Sequence, residues 1–314
     1  MRKNSINGKP SSLLCNDCPR ACNADRINGK YGYCKSNHSF QIGSICIHKG
    51  EEPVLGGVNG ICNVFFNHCN LQCIYCQNIQ ISQNLNTKIE QNLTLEEITS
   101  IIENHLDKGC IYLGFVSPSH CIQQVIQIIN ALHSNGYKPI VIYNSNGYDK
   151  IASLKALAGL IDIYLPDFKY ADNMLASAYS DVSNYKETAL AAIKEMYYQK
   201  GSVLHKSKDG MAESGLIIRH LVLPEAMENS KEVLRLIAEE ISTNIHLSLM
   251  SQYYPTENMA QHPVLNRCLK KEEYEKVIKE MEKLGFSKGW IQDIDSASVY
   301  QPDFNKKQPF EINK

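Results

Sequence analysis

Three cysteines fall within eight positions in "HCNLQCIYCQN": Cys69, Cys73 and Cys76, separated by three residues and then two. Thiolates at close spacing bind soft metals. A structural zinc site takes four ligands, and disulfides use thiols in pairs. His68 is the nearby candidate for a fourth ligand, but it adjoins Cys69, where its ring points away from the other two thiolates. A [4Fe–4S] cluster normally takes one cysteine per iron. With three, one iron stays open, and an open iron can bind and activate a substrate or cofactor. A zinc or purely structural cysteine loop is the competing reading, and the ligand count favours the cluster.

A second group lies upstream in "CNDCPRACNADRINGKYGYC": Cys15, Cys18, Cys22 and Cys34. Four thiolates can close a zinc site or ligate a second iron–sulfur cluster. "CNDCP" and "GYC" resemble the knuckle turns of rubredoxin-like and zinc-ribbon sites. A structural metal is the expectation, because four ligands leave no open position, and Cys46 or Cys62 stays open as a further ligand. Nine of the twelve cysteines precede residue 77. Cys110, Cys121 and Cys268 read as plain buried thiols.

The bounds agree with a metalloenzyme. The chain has 314 residues, 43% hydrophobic, with a net charge of -1. That balance argues against a nucleic-acid partner. Residues 1–50 carry eight Lys/Arg (Arg2, Lys3, Lys9, Arg20, Arg26, Lys30, Lys35, Lys49) against Asp17 and Asp25. Cations balancing metal-bound thiolates are the favoured explanation. The opening "MRKNSINGKPSS" has no apolar signal region, and no run is long enough for a membrane span. The expected location is cytoplasmic, where twelve cysteines point to metal or catalysis over disulfides.

The elements that must position these thiols alternate from about residue 60. Strands are expected over 60–67, 110–117, 138–145, 161–169, 215–224 and 244–255. Helices are expected over 93–109, 119–136, 147–160, 184–201, 230–243 and 270–285. Thr94 and Glu97 have capping-box spacing, and Gly109 is placed to stop the helix between them. Such alternation implies a parallel sheet, either doubly wound and open or a partial barrel. In both, ligands sit at the carboxyl ends of the strands, and the three-cysteine loop follows the first of them. The expected divisions are a Cys-rich metal-binding segment over 1–58, the β/α region over 59–285, and a tail over 286–314. That tail holds the only tryptophan, Trp290, and is expected to pack over the sheet, to cover the site mouth or to lie on the surface.

Cys69-x3-Cys73-x-Tyr75-Cys76 resembles the signature of radical S-adenosylmethionine enzymes, including the aromatic residue before the third cysteine. The resemblance implies an α/β fold, a partial (β/α)6 barrel, with a [4Fe–4S] cluster and S-adenosylmethionine as cofactors. It implies a 5′-deoxyadenosyl radical that takes hydrogen from a substrate, and an electron donor of flavodoxin or ferredoxin type. "YNSNGY", "LPDFKY" and "IIRHLVLP" look like successive strand ends in pyruvate formate-lyase activating enzymes. Asp167 and Lys169 match that family's Asp-x-Lys, which makes them candidates for holding the S-adenosylmethionine carboxylate, directly or through a cation. Asn144 stands where the family has an aspartate, and Tyr253 where it has a histidine. On the second strand "FVSPSH" replaces a Gly-Gly-Glu type turn, leaving Ser117, Ser119 or His120 to take the cofactor's amino group. "GEEP" (50–53), "CQN" (76–78) and "RHLVLP" resemble a branch related to the activating enzymes that brings no substrate with it.

Each residue has a plainer reading. Asp167 and Lys169 face the same side of a strand and would otherwise form a surface ion pair. Arg219 lies in an apolar strand and needs a buried partner, structural or cofactor-borne. His120 opens a helix and could merely cap it. The leading expectation is an activase-like enzyme, whose substrate would be a glycine Cα–H on a partner protein. Radical modification of a peptide or small molecule comes next. The reading from another class is a non-catalytic metal-binding module that touches nucleic acid through its basic amino terminus.

Overall fold

The computed structural model describes residues 14–85, 91–298 and 301–310. The basic opening stretch, with Arg2, Lys3 and Lys9, lies outside the described residues. In chain order the elements are β1 (Phe40–His48), β2 (Ile61–Phe66), α1 (Ile79–Ser82), β3 (Gln91–Leu93), α2 (Leu95–Asp107), β4 (Tyr112–Val116) and α3 (Ile122–Ser134). There follow β5 (Ile140–Ser145), α4 (Ile151–Ala156), β6 (Ile163–Pro166), α5 (Asn173–Ser180), α6 (Tyr185–Lys200), β7 (His205–Lys206) and β8 (Ala212–Leu221). The last are α7 (Met227–Glu240), β9 (His246–Met250), α8 (Lys271–Lys283) and β10 (Gly289–Ile291).

One sheet runs in the order β10-β9-β8-β6-β5-β4-β2-β1-β3, with β7 paired to β8 off this path. From β2 to β10 every neighbour on the path is parallel; β1 and β3 add an antiparallel margin. The sheet does not close, since β10 and β3 stand at its two edges. The fold is thus an α/β partial barrel. Its six expected parallel strands are all present, as β2, β4, β5, β6, β8 and β9.

Alternation along these strands divides their side chains between two faces. One face carries Cys62, Val64, Phe66, Leu113, Phe115, Tyr143, Ile218 and Leu249, which pack with Ile98, Ile102, Val125, Ile129 and Val233 of the helices in one large core. The other carries Ile61, Tyr112, Ile142, Ile163 and Ile217, which join Val54 and Leu55 in a smaller apolar cluster. Residues in register further along these strands are polar: Asn63, Asn144, Arg219 and Ser248. The concave face is therefore an apolar floor with a polar layer above it. Gly114 leaves room for that layer, because a Cβ there would stand 1.9 Å from Asn63 Oδ1 and push the Asn63 side chain aside.

Local signals account for the helices. The capping box of α2 forms as expected: Thr94 Oγ1 accepts from Glu97 N at 3.2 Å, and Glu97 Oε2 accepts from Thr94 N at 2.8 Å. Gly109, at φ 91°, ends the turn that follows. The helix expected over 147–160 is shorter, Ile151–Ala156, because the residues after β5 form a turn in which Tyr148 N donates to Asn146 Oδ1 and Asp149 N to Gly147 O. Six elements were not foreseen, among them the short α1 and β3. β1 lies inside the cysteine-rich stretch, α5 in a polar stretch, and β7 and β10 are only two and three residues long. Through β1 and β10 the sheet runs across both expected divisions, 58/59 and 285/286.

Candidate active site

The carboxyl ends of the parallel strands surround a cavity of about 400 Å³. Cys69, Cys73 and Cys76 line one part of it. Their loop leaves β2 through His68, whose left-handed backbone (φ 68°) turns the chain. The His68 ring sits against Gln83 O and Gln41, away from the cavity. The loop is pinned to the end of α5, with Gln72 N donating to Ser180 O at 3.3 Å and Ile74 N to Tyr179 O at 2.9 Å. Asn84 holds Cys69 on both sides, accepting from its N–H and donating to its carbonyl, each at 3.1 Å.

Each sulfur accepts hydrogen bonds. Cys69 Sγ receives Leu71 N and Asn146 Nδ2, both at 3.4 Å. Cys73 Sγ receives Ser180 Oγ at 2.9 Å, and Cys76 Sγ receives Ser82 Oγ at 3.3 Å. The Ser180 hydroxyl is 2.7 Å from Tyr170 Oη, which is 2.6 Å from Tyr75 Oη, so a chain of hydroxyls ends on Cys73. Burial pushes the Cys69 thiol up to about 12 and the Cys73 thiol up to about 11, with Lys169 pulling the latter back. Buried thiols aligned this way suit a bound cation or cluster, which takes the place of their protons. No fourth cysteine among the described residues lines this cavity, so the donor set fits a cluster with one open iron.

The remaining wall is a buried charge network. Asp167 lies just beyond β6, and its two oxygens take Arg219 Nε at 2.8 Å and Lys169 Nζ at 2.6 Å. Arg219 Nη2 donates to Asn144 Oδ1 at 2.7 Å, and Nη1 to Glu51 Oε2 at 3.3 Å. Glu51 Oε1 is also 3.1 Å from His48 Nδ1 and 3.4 Å from Asn63 Nδ2. Burial alone would raise the Asp167 carboxyl, yet Arg219 and then Lys169 bring it below the ordinary range. Glu52, beside Ser248, goes the other way: burial raises it against the pull of Arg219. Uncompensated buried ions are costly, so a closed circuit of this size is how the fold tolerates them.

Seven of the nine candidate cofactor residues line the cavity: Tyr75, Ser117, Asn144, Asp167, Lys169, Arg219 and Tyr253. Ser119 and His120 do not. Ser117 takes a left-handed turn (φ 48°), and beyond it His120 is fully buried with Nε2 2.9 Å from Asn67 O. Burial lowers the His120 imidazole to about 3, leaving it neutral. Tyr253 presents only its ring, because its hydroxyl donates to Leu265 O at 2.6 Å. Sequence reasoning gave no role to His48, Glu51, Glu52 or Ser248, which also line the cavity, and placed Phe310 only within the tail. The partner demanded by a buried Arg219 was the available clue to Glu51.

The cysteines upstream form their own cluster. Cys15, Cys18, Cys22 and Cys34 line one small cavity with Asp17, Arg20, Arg26 and Gly32. Cys46 and Cys62 line neither cavity. Cys110 and Cys121 are buried as expected, but Cys268 is exposed. Among the described residues, no three His, Cys, Asp or Glu side chains stand close enough to grip a single ion as they are. The tail covers part of the mouth: Pro302 and Phe310 line the cavity, and Phe310 lies 4.1 Å from the His48 ring, centroid to centroid. Among the described residues, no helix is long and apolar enough to cross a membrane.

Comparison with known proteins agrees with this geometry. A family model described as a 4Fe-4S single cluster domain matches residues 55–184. A Methanocaldococcus jannaschii protein, "Uncharacterized protein MJ0674", is 28% identical over 275 residues, covering 86% of this chain and 74% of its own. HydG, a maturase of the [FeFe]-hydrogenase, superposes with a TM-score of 0.50 at 14% identity, over 73% of this chain and 50% of its own. Streptococcus suis SuiB bound to S-adenosylmethionine gives 0.47 at 13% identity, over 72% of this chain and 48% of its own. A domain of a Bacteroides vulgatus pyruvate-formate lyase-activating enzyme gives 0.38 at 14% identity, over 55% of this chain and 93% of its own. The chain spans about half the length of the SuiB and HydG chains it matches. The three-thiol loop after the first parallel strand of the open β/α sheet lies within the region matched by the 4Fe-4S single cluster domain, and the fold is similar to that of HydG.

Proposed function

We propose that the protein is an enzyme that cleaves S-adenosylmethionine reductively and abstracts hydrogen from a substrate, in the manner of glycyl-radical-enzyme activases. The observation that carries this reading is that three buried sulfurs share one cavity with the Asp167–Arg219–Lys169 network. Cys69, Cys73 and Cys76 would hold the [4Fe–4S] cluster. When bound, the cluster supplies one electron to the sulfonium of S-adenosylmethionine, giving methionine and the 5′-deoxyadenosyl radical.

The residues of the chain do the rest. Asp167 orients Lys169 and Arg219, and their cationic heads suit the cofactor's carboxylate. Ser117 and Asn144 offer polar groups at adjacent strand ends, and Tyr75 packs beside the loop. Phe310 and Trp290 shield the mouth from water, which a reactive intermediate requires. The activase-like reading rests on the Asp-x-Lys strand end and would make the substrate a glycine on a partner protein, with a flavodoxin or ferredoxin as reductant. Glu51, Glu52 and Ser248 also favour a second reading, a peptide or small molecule with polar groups reaching the inner layer.

The test is anaerobic reconstitution, then dithionite and S-adenosylmethionine, with 5′-deoxyadenosine as the readout. Native protein should form it, and a C69A/C73A/C76A variant should not. A reconstituted chain that holds iron and sulfide yet yields none, with candidate partner proteins present, would contradict the proposal.

A further inference from the structure

The amino-terminal cysteines have no place in the active-site cavity, yet their neighbours reach the loop that carries its three thiols. The chain folds back so that Cys15 bridges Ala24, and left-handed turns at Ala21 and Asn23 bring Cys18 and Cys22 round to Cys34. Cys22 Sγ accepts Tyr33 N at 3.2 Å, and Cys34 Sγ accepts Arg26 Nη2 at 3.1 Å. Gly32 is obligatory there, since a Cβ would stand 2.7 Å from Cys22 Cβ.

Two residues set among these cysteines reach outward. Arg20 lies between Cys18 and Cys22, and Tyr33 directly precedes Cys34. Arg20 Nε donates to Asn70 O at 3.0 Å, one residue after Cys69, and Nη2 donates to Asp181 O at 2.5 Å. The Tyr33 hydroxyl donates to Asp181 Oδ2 at 2.6 Å. Its carbonyl accepts Asn84 Nδ2 at 3.0 Å, from the same side chain that brackets Cys69. The Arg20 guanidinium lies 3.6 Å over the Tyr33 ring, which ties the two together. Ser180, next to Asp181, is the donor to Cys73 Sγ. Cys69 is thus one residue from a group that Arg20 holds, and the hydroxyl bonded to Cys73 Sγ is one residue from Asp181, which both Arg20 and Tyr33 hold.

We propose that Cys15, Cys18, Cys22 and Cys34 bind a thiophilic metal centre that stiffens their segment, so that Arg20 and Tyr33 clamp the Cys69–Cys76 loop. Arg20 and Tyr33 are positioning residues, acting through Asn70, Asn84 and Asp181. The metal links four turns that have little regular secondary structure of their own. The inference rests on the reading of the Cys69–Cys76 loop as the cluster loop.

The test uses full-length protein prepared anaerobically as native, C18S/C22S, R20A, R20K and Y33F. Metals per chain are counted, loss of cluster iron to a chelator is timed optically, and thermal melts report folding. Native protein should carry metal beyond the cluster's iron, and C18S/C22S should lack that excess. C18S/C22S and R20A should lose cluster iron roughly tenfold faster than native, the scale expected of supporting contacts. R20K should fall between, and Y33F should be faster than native at an unchanged melting temperature. Zinc or iron remaining in C69A/C73A/C76A names the amino-terminal metal. A native chain with a cluster but no further metal overturns the inference, as do R20A and Y33F stripped at the native rate. A native chain with no cluster overturns it too, together with the proposed function. Should R20A fail to fold, Y33F decides, because it removes one hydroxyl.

Discussion

Arg219 is the residue on which the site turns, because its guanidinium meets Asp167, Asn144 and Glu51 at once. Arg219→Met leaves two buried carboxylates without that partner. It should destabilise the fold by about 3–5 kcal/mol, read from denaturant titration, and weaken S-adenosylmethionine binding by calorimetry. Asp167 gives a prediction in pH. Its carboxyl is held below the ordinary value of about 3.9, so its ionised form favours the folded state. That stability is present above the ordinary value and is lost as pH falls through the depressed one. Melting temperatures of native and Asp167→Asn protein should therefore differ most near neutral pH and converge in acid. A gap that widens in acid would contradict the pairing. At this scale the sequence was informative where spacing brings side chains together, as for Cys69, Cys73 and Cys76, which line one cavity. It misled at Ser119 and His120, because a left-handed Ser117 redirects the chain and no local signal predicts that turn.

The elements explain what was legible and what was not. Helix α2 announced itself through Thr94 and Glu97, whose reciprocal bonds form as the spacing required. Thr94→Ala should cost about 1 kcal/mol in chemical denaturation and leave cluster loading unchanged. Glu51 and Glu52 were opaque for the opposite reason. They lie in a turn after β1, and they meet Arg219 only because that turn folds in beneath the polar layer, with Val54 and Leu55 beside the apolar floor. Contacts made across the sheet carry no sequence period. Gly114 belongs to the same layer: Gly114→Ala must displace Asn63 and should cost on the order of 1–3 kcal/mol, with Asn63→Ala expected to restore part of it in the double variant.

The whole molecule closes its cavity with its own ends. Phe304 packs on Phe65, and Phe310 on both Phe65 and His48, so the tail spans from the β10 edge to the β1–β2 side. Phe310→Ala should leave the fold intact and hasten loss of cluster absorbance in air, because the mouth loses its apolar cover. Arg20 and Tyr33 of the amino-terminal segment hold the same loop from the other side, so the three-cysteine loop sits where three parts of the chain meet. The most direct test of the central claim is electron paramagnetic resonance of reduced, reconstituted protein with and without S-adenosylmethionine. A [4Fe–4S]+ spectrum that changes on adding the cofactor, and that vanishes in C69A/C73A/C76A, is predicted. A spectrum indifferent to S-adenosylmethionine, or one that survives loss of those three cysteines, would contradict an open iron at this site.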